Sequence, residues 1–89
     1  DWASFRDAVP TRVVLLTTKA VVRLPDFAFD AADVLLLGSE SAGVPDHVAR
    51  ACDAAVRIPI GAQVRSLNIA VAAGIALAEA LRQTRGFPT

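Results

Sequence analysis

The stretch Arg12-Val-Val-Leu-Leu-Thr17 decides the fold class, because it is a short continuous apolar run that is rich in β-branched residues. The run Asp33-Val-Leu-Leu-Leu37 repeats this pattern before Gly38, and a third run, Ala55-Val-Arg-Ile-Pro-Ile60, is broken by Pro59. Continuous rather than alternating apolar strands are typical of parallel sheets that helices cover on both faces. The sequence therefore predicts an α/β fold, with a parallel sheet and flanking helices.

The clearest predicted helix lies at the carboxyl-terminal end and runs from Ser66 to about Arg82. Ser66 is suited to cap it, and Arg85 and Gly86 mark its end. The helix is apolar nearly all round, since no polar face develops before Glu79. Such a helix has to be covered on both sides, which predicts that the chain self-associates.

Two shorter segments are also predicted to be helical. Trp2, Phe5 and Val9 recur at helical spacing, with no capping residue expected before them. Residues 45–51 predict a short helix that begins at a proline. Residues 19–30 show no clean helical pattern, so they are predicted to form a crossover loop with at most one turn of helix.

The composition limits both the size of the core and the classes of function. The chain has 89 residues, of which 54% are hydrophobic and 20% charged, so it forms one core and leaves apolar surface to be covered by a partner or another segment. Nine basic and nine acidic residues cancel, so the overall charge does not indicate a nucleic-acid partner. A single Cys52 excludes an internal disulfide, and a lone His47 argues against a zinc site and is expected on the solvated surface.

No segment of the sequence has the pattern of a leader or a membrane span. The longest apolar run, residues 69–78, is about half as long as a span requires, so we expect a cytoplasmic protein with no membrane partner. Residues 1–8 lack an initiator Met and resemble the end of a preceding element. We therefore expect a single domain over residues 1–89 that is incomplete at its amino terminus.

The segment Leu37-Gly-Ser-Glu-Ser-Ala-Gly-Val-Pro45 is the densest candidate for a ligand loop, because it follows a predicted strand and leads into a predicted helix. In open parallel sheets, ligands bind beyond the carboxyl ends of the strands, where glycines permit close approach of the backbone. The Gly-x-Glu-x-x-Gly spacing is not the dinucleotide fingerprint, since Glu40 occupies the place of its second glycine. From the residues alone, a tight turn capped by Glu40 and a ligand loop are equally supported.

A second candidate loop, Ile58-Pro-Ile-Gly61, is followed by Arg65-Ser-Leu-Asn68 at the start of the terminal helix. Pro59 and Gly61 shape a rigid loop whose backbone groups are able to hold a polar heterocycle. The structural alternatives are that Ser66 is a simple helix cap and that Asn68 bonds only the local backbone. Taken singly, these structural alternatives are the stronger interpretation.

Taken together, the motifs resemble motifs two and three of the SpoU family of RNA 2′-O-methyltransferases. The resemblance rests on the order and spacing of the Gly-x-Glu-x-x-Gly loop, the Ile-Pro loop and the Ser-x-Asn sequence before an Ala-rich helix, and it covers essentially all 89 residues. Leu15-Leu-Thr-Thr-Lys19 is similar to a strand end in the members that modify the wobble nucleotide of transfer RNA. The resemblance implies a trefoil knot threaded by the terminal helix, and a homodimer through that helix.

The resemblance also implies the cofactor, the substrate and the site residues. S-adenosylmethionine would be the cofactor and RNA the substrate, with transfer RNA first and ribosomal RNA as the alternative. A non-catalytic binding or assembly module that keeps the fold is the alternative from another class. The implied cofactor pocket consists of Leu16, Gly38, Ile58, Ser66 and Leu67, and the implied site of methyl transfer lies near Glu40, Ser66 and Asn68.

Three departures from the family pattern bear on activity. Val44 stands in place of the usual Leu, and Ala70 in place of a Ser that is common two residues after the Asn. The first family motif, which carries an Arg, has no counterpart, so we expect these 89 residues alone not to methylate RNA. The basic residues expected near the loops are Arg12, Arg57 and Arg65, of which the last is the nearest substitute for the missing Arg.

Overall fold

A parallel sheet of three strands forms the centre of the structure, as the apolar runs predict. The structure is a computed structural model that describes residues 1–38, 44–60 and 68–88. Its strands are β1 (Val13–Leu16), β2 (Val34–Leu37) and β3 (Ala54–Val56), and all are paired in parallel in the order β2-β1-β3. The predicted α/β class is therefore confirmed, and β1 is the central strand.

Helices connect and flank these strands where the sequence predicts them. The crossover between β1 and β2 is a loop with one 3₁₀ turn at Leu24–Asp26, which matches the prediction for residues 19–30. Proline at the start of this turn suits it, because the fixed φ of proline fits the first helical positions. The α-helices are α1 (Trp2–Ala8), α2 (Asp46–Ala51) and α3 (Ile69–Thr84).

The main core lies between one face of the sheet and α3. Val14 and Val56 are fully buried and pack with Leu24 of the 3₁₀ turn and Ala76 of α3. Alternation along the strands directs Leu16 and Ile58 to this same face, where both are half-buried against the cluster. Small residues on α3 allow the helix to lie close to the sheet, so a short chain still forms a packed core.

The amino-terminal helix α1 has a cap that the sequence interpretation missed. The Asp1 carboxylate accepts a hydrogen bond of 2.8 Å from the Ser4 backbone N–H. The expectation that no capping residue precedes this helix was therefore wrong. Aspartate is a strong N-cap because its side chain satisfies an amide that has no partner within the helix.

The terminal helix α3 begins two to three residues later than predicted. Asn68 is its N-cap, and the Asn68 side-chain oxygen accepts a hydrogen bond of 2.8 Å from the Ala70 N–H. The predicted start at Ser66 was wrong, since the first helical residue is Ile69. The helix ends at Thr84, and Arg85 adopts a left-handed conformation with φ of 56°.

One face of α3 is bare, although the opposite face packs on the sheet. Ala76 is fully buried, whereas Val71 and Leu77 are 51% and 52% exposed. At 100° per residue, the exposed residues form a continuous face that is apolar throughout. This face consists of Ala70, Val71, Gly74, Ile75, Leu77 and Ala78, all of them exposed.

Candidate functional site

The carboxyl ends of the three strands meet at one edge of the sheet, which we call the carboxyl edge. Leu16 ends β1 and is in register with Leu37 of β2 on one side and Val56 of β3 on the other. Gly38 follows Leu37 directly, and Ile58 lies two residues beyond Val56. The fold thus brings Leu16, Gly38 and Ile58 to the same edge, where open parallel sheets bind ligands.

The side chains at this edge form an apolar wall beside a position without a side chain. Leu16 and Ile58 are half-buried against the core, so their positions are set by packing. Gly38 leaves the space beside β2 free of a Cβ and lets a ligand approach the backbone. Apolar walls combined with accessible backbone groups are typical of sites that hold a heterocycle.

A tight turn projects from this edge after β1. The Thr17 N–H bonds the Val56 carbonyl at 2.9 Å, and the Ala20 N–H bonds the Thr17 carbonyl at 3.3 Å. The chain then returns to β3, where the Arg57 N–H bonds the Val22 carbonyl at 2.9 Å. Residues 17–22, which we call the edge turn, are therefore held at both ends beside the candidate site.

The opposite edge of the sheet is closed by ion pairs. Arg12, just before β1, donates two hydrogen bonds of 2.9 and 2.6 Å to the Asp33 carboxylate, just before β2. The side chain of Asp33 is only 4% exposed, and it also accepts from the Asp30 N–H. Hydrogen bonds from Arg12 lower the pKa of Asp33 below its ordinary value, and they raise the pKa of Arg12.

Asp53 makes a similar junction at the start of β3. Its carboxylate accepts hydrogen bonds from the Val13 N–H at 2.7 Å and from Arg6 of α1 at 2.6 Å. The bond from the Val13 amide, followed by that from Arg6, lowers the pKa of Asp53. One carboxylate thus links α1, β1 and β3 at the edge remote from the candidate site.

An open depression of about 490 Å³ also lies at the ion-paired edge. The charges of Arg12 and Asp33 neutralise each other there, so this pair leaves no net charge to attract a ligand. Arg12 was expected near the ligand loops, but its position before β1 places it at the opposite edge, so that expectation was wrong. The depression is lined by Pro10, Thr11, Arg12, Ala28, Phe29, Asp30, Ala32 and Asp33.

The remaining predicted site residues differ in how far the structure describes them. Asn68 lies at the start of α3, with its side-chain oxygen engaged in the helix cap. His47 is exposed on α2, as expected for a surface residue. The other predicted residues, Glu40, Ser66 and Leu67, together with Arg65, lie outside the described residues.

Two further features of residues 1–38, 44–60 and 68–88 bear on the kind of site they can form. None of the helices in these segments has the length and apolar character needed to cross a bilayer. The same segments bring together no group of three or more metal-ligating side chains.

Comparison with known proteins identifies the family of this chain. Residues 1–78 match the SpoU rRNA Methylase family. A tRNA (cytidine(34)-2′-O)-methyltransferase of Ancylobacter novellus is 52% identical over 83 residues, which make up 93% of this chain and 52% of that protein. The chain thus spans about half the length of this curated relative.

Solved structures agree in fold as well as in sequence. One, described as giving structural insights into the 2-OH methylation of C/U34 on tRNA, superposes with a TM-score of 0.88 at 38% identity and covers 98% of this chain and 58% of its own. The AdoMet-bound rRNA methyltransferase from Sinorhizobium meliloti gives a TM-score of 0.81 at 36% identity, over 92% of this chain and 32% of its own. The family profile, which spans most of the sequence, and these structural matches lead to the same conclusion: the chain belongs to the SpoU rRNA methylase family.

Proposed function

We propose that the protein containing this chain methylates the 2′-hydroxyl of an RNA ribose with S-adenosylmethionine, and that its substrate is the wobble nucleotide of transfer RNA. The observation that carries the proposal is the convergence of Leu16, Gly38 and Ile58 at the carboxyl edge. The substrate is inferred from the relative that is 52% identical and named a tRNA (cytidine(34)-2′-O)-methyltransferase. Ribosomal RNA is the second candidate, because a structure 36% identical to the chain is an rRNA methyltransferase.

We infer that the carboxyl edge holds the proposed cofactor. Leu16 and Ile58 are half-buried apolar side chains suited to contact a heterocycle, and Gly38 has no side chain to prevent close approach to its backbone. Ser66 and Leu67, which precede α3, are proposed to complete the pocket. S-adenosylmethionine supplies an activated methyl group, so the protein mainly has to orient the ribose and the cofactor and keep water from the site.

Three residues are proposed to act near the ribose. Glu40 follows β2 in the sequence, Ser66 lies between β3 and α3 in the sequence, and Asn68 is the N-cap of α3. The cap bond to the Ala70 N–H uses the Asn68 oxygen and leaves the amide N–H groups available to donate to a ligand. The proposed role of Asn68 is therefore compatible with its structural one.

We also propose that the protein is a homodimer through α3, and that it acts in the cytoplasm. The bare apolar face of α3 supports the dimer, because exposed apolar surface of this extent is costly. Gly74, in the middle of that face, has no atom within 4 Å of where a Cβ would stand, as far as the described residues go. A glycine inside a helix costs about 0.5–1 kcal/mol relative to alanine, and close approach of a second helix offsets that cost.

Replacement of Gly38 by Val tests the cofactor pocket. The two methyl groups of the valine are expected to occupy the space that the ligand needs beside β2, so the affinity for S-adenosylhomocysteine should fall roughly 5- to 150-fold, which corresponds to the 1–3 kcal/mol typical of overpacking. Calorimetry on the whole protein would measure the affinity, and circular dichroism would check the fold. Ala31→Val, in the exposed turn before β2 at the ion-paired edge, is the control for a substitution away from the pocket. Unchanged affinity in Gly38→Val would refute the pocket.

A methyl-transfer assay tests the reaction and its substrate. The assay incubates the whole protein with S-adenosylmethionine that carries a tritiated methyl group. Unmodified transfer RNA or ribosomal RNA is the acceptor, and the labelled nucleotide is then mapped. Label at the 2′-oxygen of nucleotide 34 is the expected result. Label only in ribosomal RNA would favour the second candidate, and a protein that binds the cofactor but labels neither RNA would favour a non-catalytic module.

A further inference from the structure

The charged side chains of the chain are distributed unequally between the two edges of the sheet. Nine basic and nine acidic residues give no net charge, but only some of the basic side chains form ion pairs. Arg12 pairs with Asp33 and Arg6 with Asp53 at the ion-paired edge. Arg23 and Arg82 pair with acids three residues away in sequence.

Two basic side chains at the carboxyl edge have no ion-pair partner within residues 1–38, 44–60 and 68–88. Lys19 lies in the edge turn, three residues beyond the end of β1, and Arg57 follows β3 directly. Neither segment 17–22 nor segment 57–60 contains a carboxylate. The carboxyl edge therefore carries two positive charges that no described carboxylate neutralises.

Backbone hydrogen bonds fix both residues in place. The Lys19 N–H donates to Thr17 Oγ1 at 3.3 Å, and the return of the chain at Val22 closes the edge turn. Arg57 is held on both sides, because its N–H bonds Val22 and its carbonyl accepts from the Leu24 N–H at 2.7 Å. Fixed backbones lower the entropy lost when these side chains bind a ligand.

We propose that Lys19 and Arg57 form a phosphate clamp that positions the RNA backbone at the mouth of the cofactor pocket. The inference rests on the proposed function, which supplies RNA as the substrate. Arginine binds phosphate through two parallel hydrogen bonds, and lysine adds a compact point charge. Strand alternation places the Arg57 side chain on the sheet face opposite the core residue Val56. The Arg57 side chain thus lies on the face of the sheet away from α3, so the clamp leaves α3 free for the dimer.

Salt-dependent RNA binding tests the clamp. The whole protein and its Lys19→Gln, Arg57→Gln and double variants would be titrated with a transfer-RNA anticodon stem-loop between 50 and 200 mM salt. Each single change is expected to reduce the slope of log K against log salt by about one, and the double change by about two. The double variant should raise KM for the RNA about tenfold, while kcat and the affinity for S-adenosylhomocysteine stay within about twofold.

The control is Arg50→Gln, which removes an exposed charge from the last turn of α2. This end of α2 leads into the start of β3, at the ion-paired edge. A double variant whose RNA binding has the same salt dependence as this control would overturn the clamp. The clamp would also be overturned if Arg57→Gln weakened S-adenosylhomocysteine binding without changing the salt dependence of RNA binding. If the wild-type protein methylates RNA and the variants bind RNA as tightly as it does, the clamp is refuted and the proposed function stands. If the variants reduce the salt dependence of RNA binding but the wild-type protein transfers no methyl group, the clamp stands and the proposed function is refuted.

Discussion

At the scale of single residues, Arg85 holds a backbone conformation that suits glycine better. Its φ of 56° is the one positive value for a non-glycine residue in the described part of the chain. A left-handed conformation costs an ordinary residue roughly 1 kcal/mol, and glycine at such a helix end avoids that cost. Arg85→Gly is therefore expected to raise the free energy of unfolding by about 1 kcal/mol in denaturant titrations. Arg85→Ala is the matched control, because it removes the same side chain and keeps the strain; equal stability of the two variants would contradict the explanation.

Asn68 is a residue in which a structural and a functional role can be separated. Asn68→Ala removes the cap of α3 and is expected to lower the free energy of unfolding by about 1 kcal/mol. Asn68→Ser restores a capping oxygen and should recover most of that stability. Methyl transfer should be lost in both variants if the amide also donates to the ribose. Full activity in a stable Asn68→Ser protein would restrict the residue to its cap.

At the scale of elements, a carboxylate on α3 joins that helix to the crossover after β1. Glu79 accepts hydrogen bonds from Arg82 and, at 2.8 Å, from Gln83, whose Oε1 accepts from the Phe29 N–H at 2.8 Å. Donation by Arg82 and then by Gln83 lowers the pKa of Glu79 from 4.5 to about 2. Since the folded protein holds this group ionised more strongly than the unfolded chain does, its contribution to stability is complete above pH 4.5 and is lost as the pH falls towards 2.

A comparison of variants across pH isolates this contribution from those of other carboxylates. The difference in unfolding free energy between the wild type and Glu79→Gln should be largest above pH 4.5 and shrink as the pH is lowered to about 2. Arg82→Gln should reproduce part of the effect, because the Gln83 donor remains. A difference that stays constant over this pH range would show that Glu79 does not carry the effect.

The elements also show which features a sequence reveals. The three strands were predictable because continuous apolar runs leave few alternatives in a short α/β chain. The start of α3 was misplaced because serine and asparagine are both strong N-caps and stand two residues apart, so propensity does not choose between Ser66 and Asn68. The cap at Asp1 was missed because a terminal residue was not considered as a partner for the first turn.

Among the site residues, positions at strand ends can be predicted from the sequence, whereas ion pairs between distant residues cannot. Leu16, Gly38 and Ile58 were predicted from the resemblance to the SpoU family, and they share one edge because each lies at or just beyond the end of a parallel strand. The distribution of free charge was not predictable, because it depends on pairs such as Arg6 and Asp53, which are 47 residues apart in sequence. The error over Arg12 had a local cause, since this residue precedes β1 and therefore lies at the beginning of the strand. Lys19 was not predicted near the site.

At the scale of the whole molecule, the bare face of α3 determines the expected assembly. Self-association through a twofold axis would place Val71 and Leu77 against the same residues of a second copy. Val71→Glu is expected to shift the protein towards the monomer in multi-angle light scattering, because it buries unpaired charge at the contact. Val21→Glu is the control, since Val21 is 90% exposed but lies in the edge turn. A wild type that is monomeric at all concentrations would contradict the dimer.

The division of the sheet into an ion-paired edge and a carboxyl edge has a consequence for how such a protein can change over evolutionary time. Arg12, Asp33 and Asp53 join the strand beginnings to one another and to α1, whereas the strand ends lead into loops. Substitutions in those loops therefore leave the anchoring bonds intact, and their cost in stability is small. Under the proposed function, exchange of loop residues outside the cofactor pocket gives this scaffold a route to new RNA targets, whereas a change at the ion-paired edge lowers the stability of the whole fold.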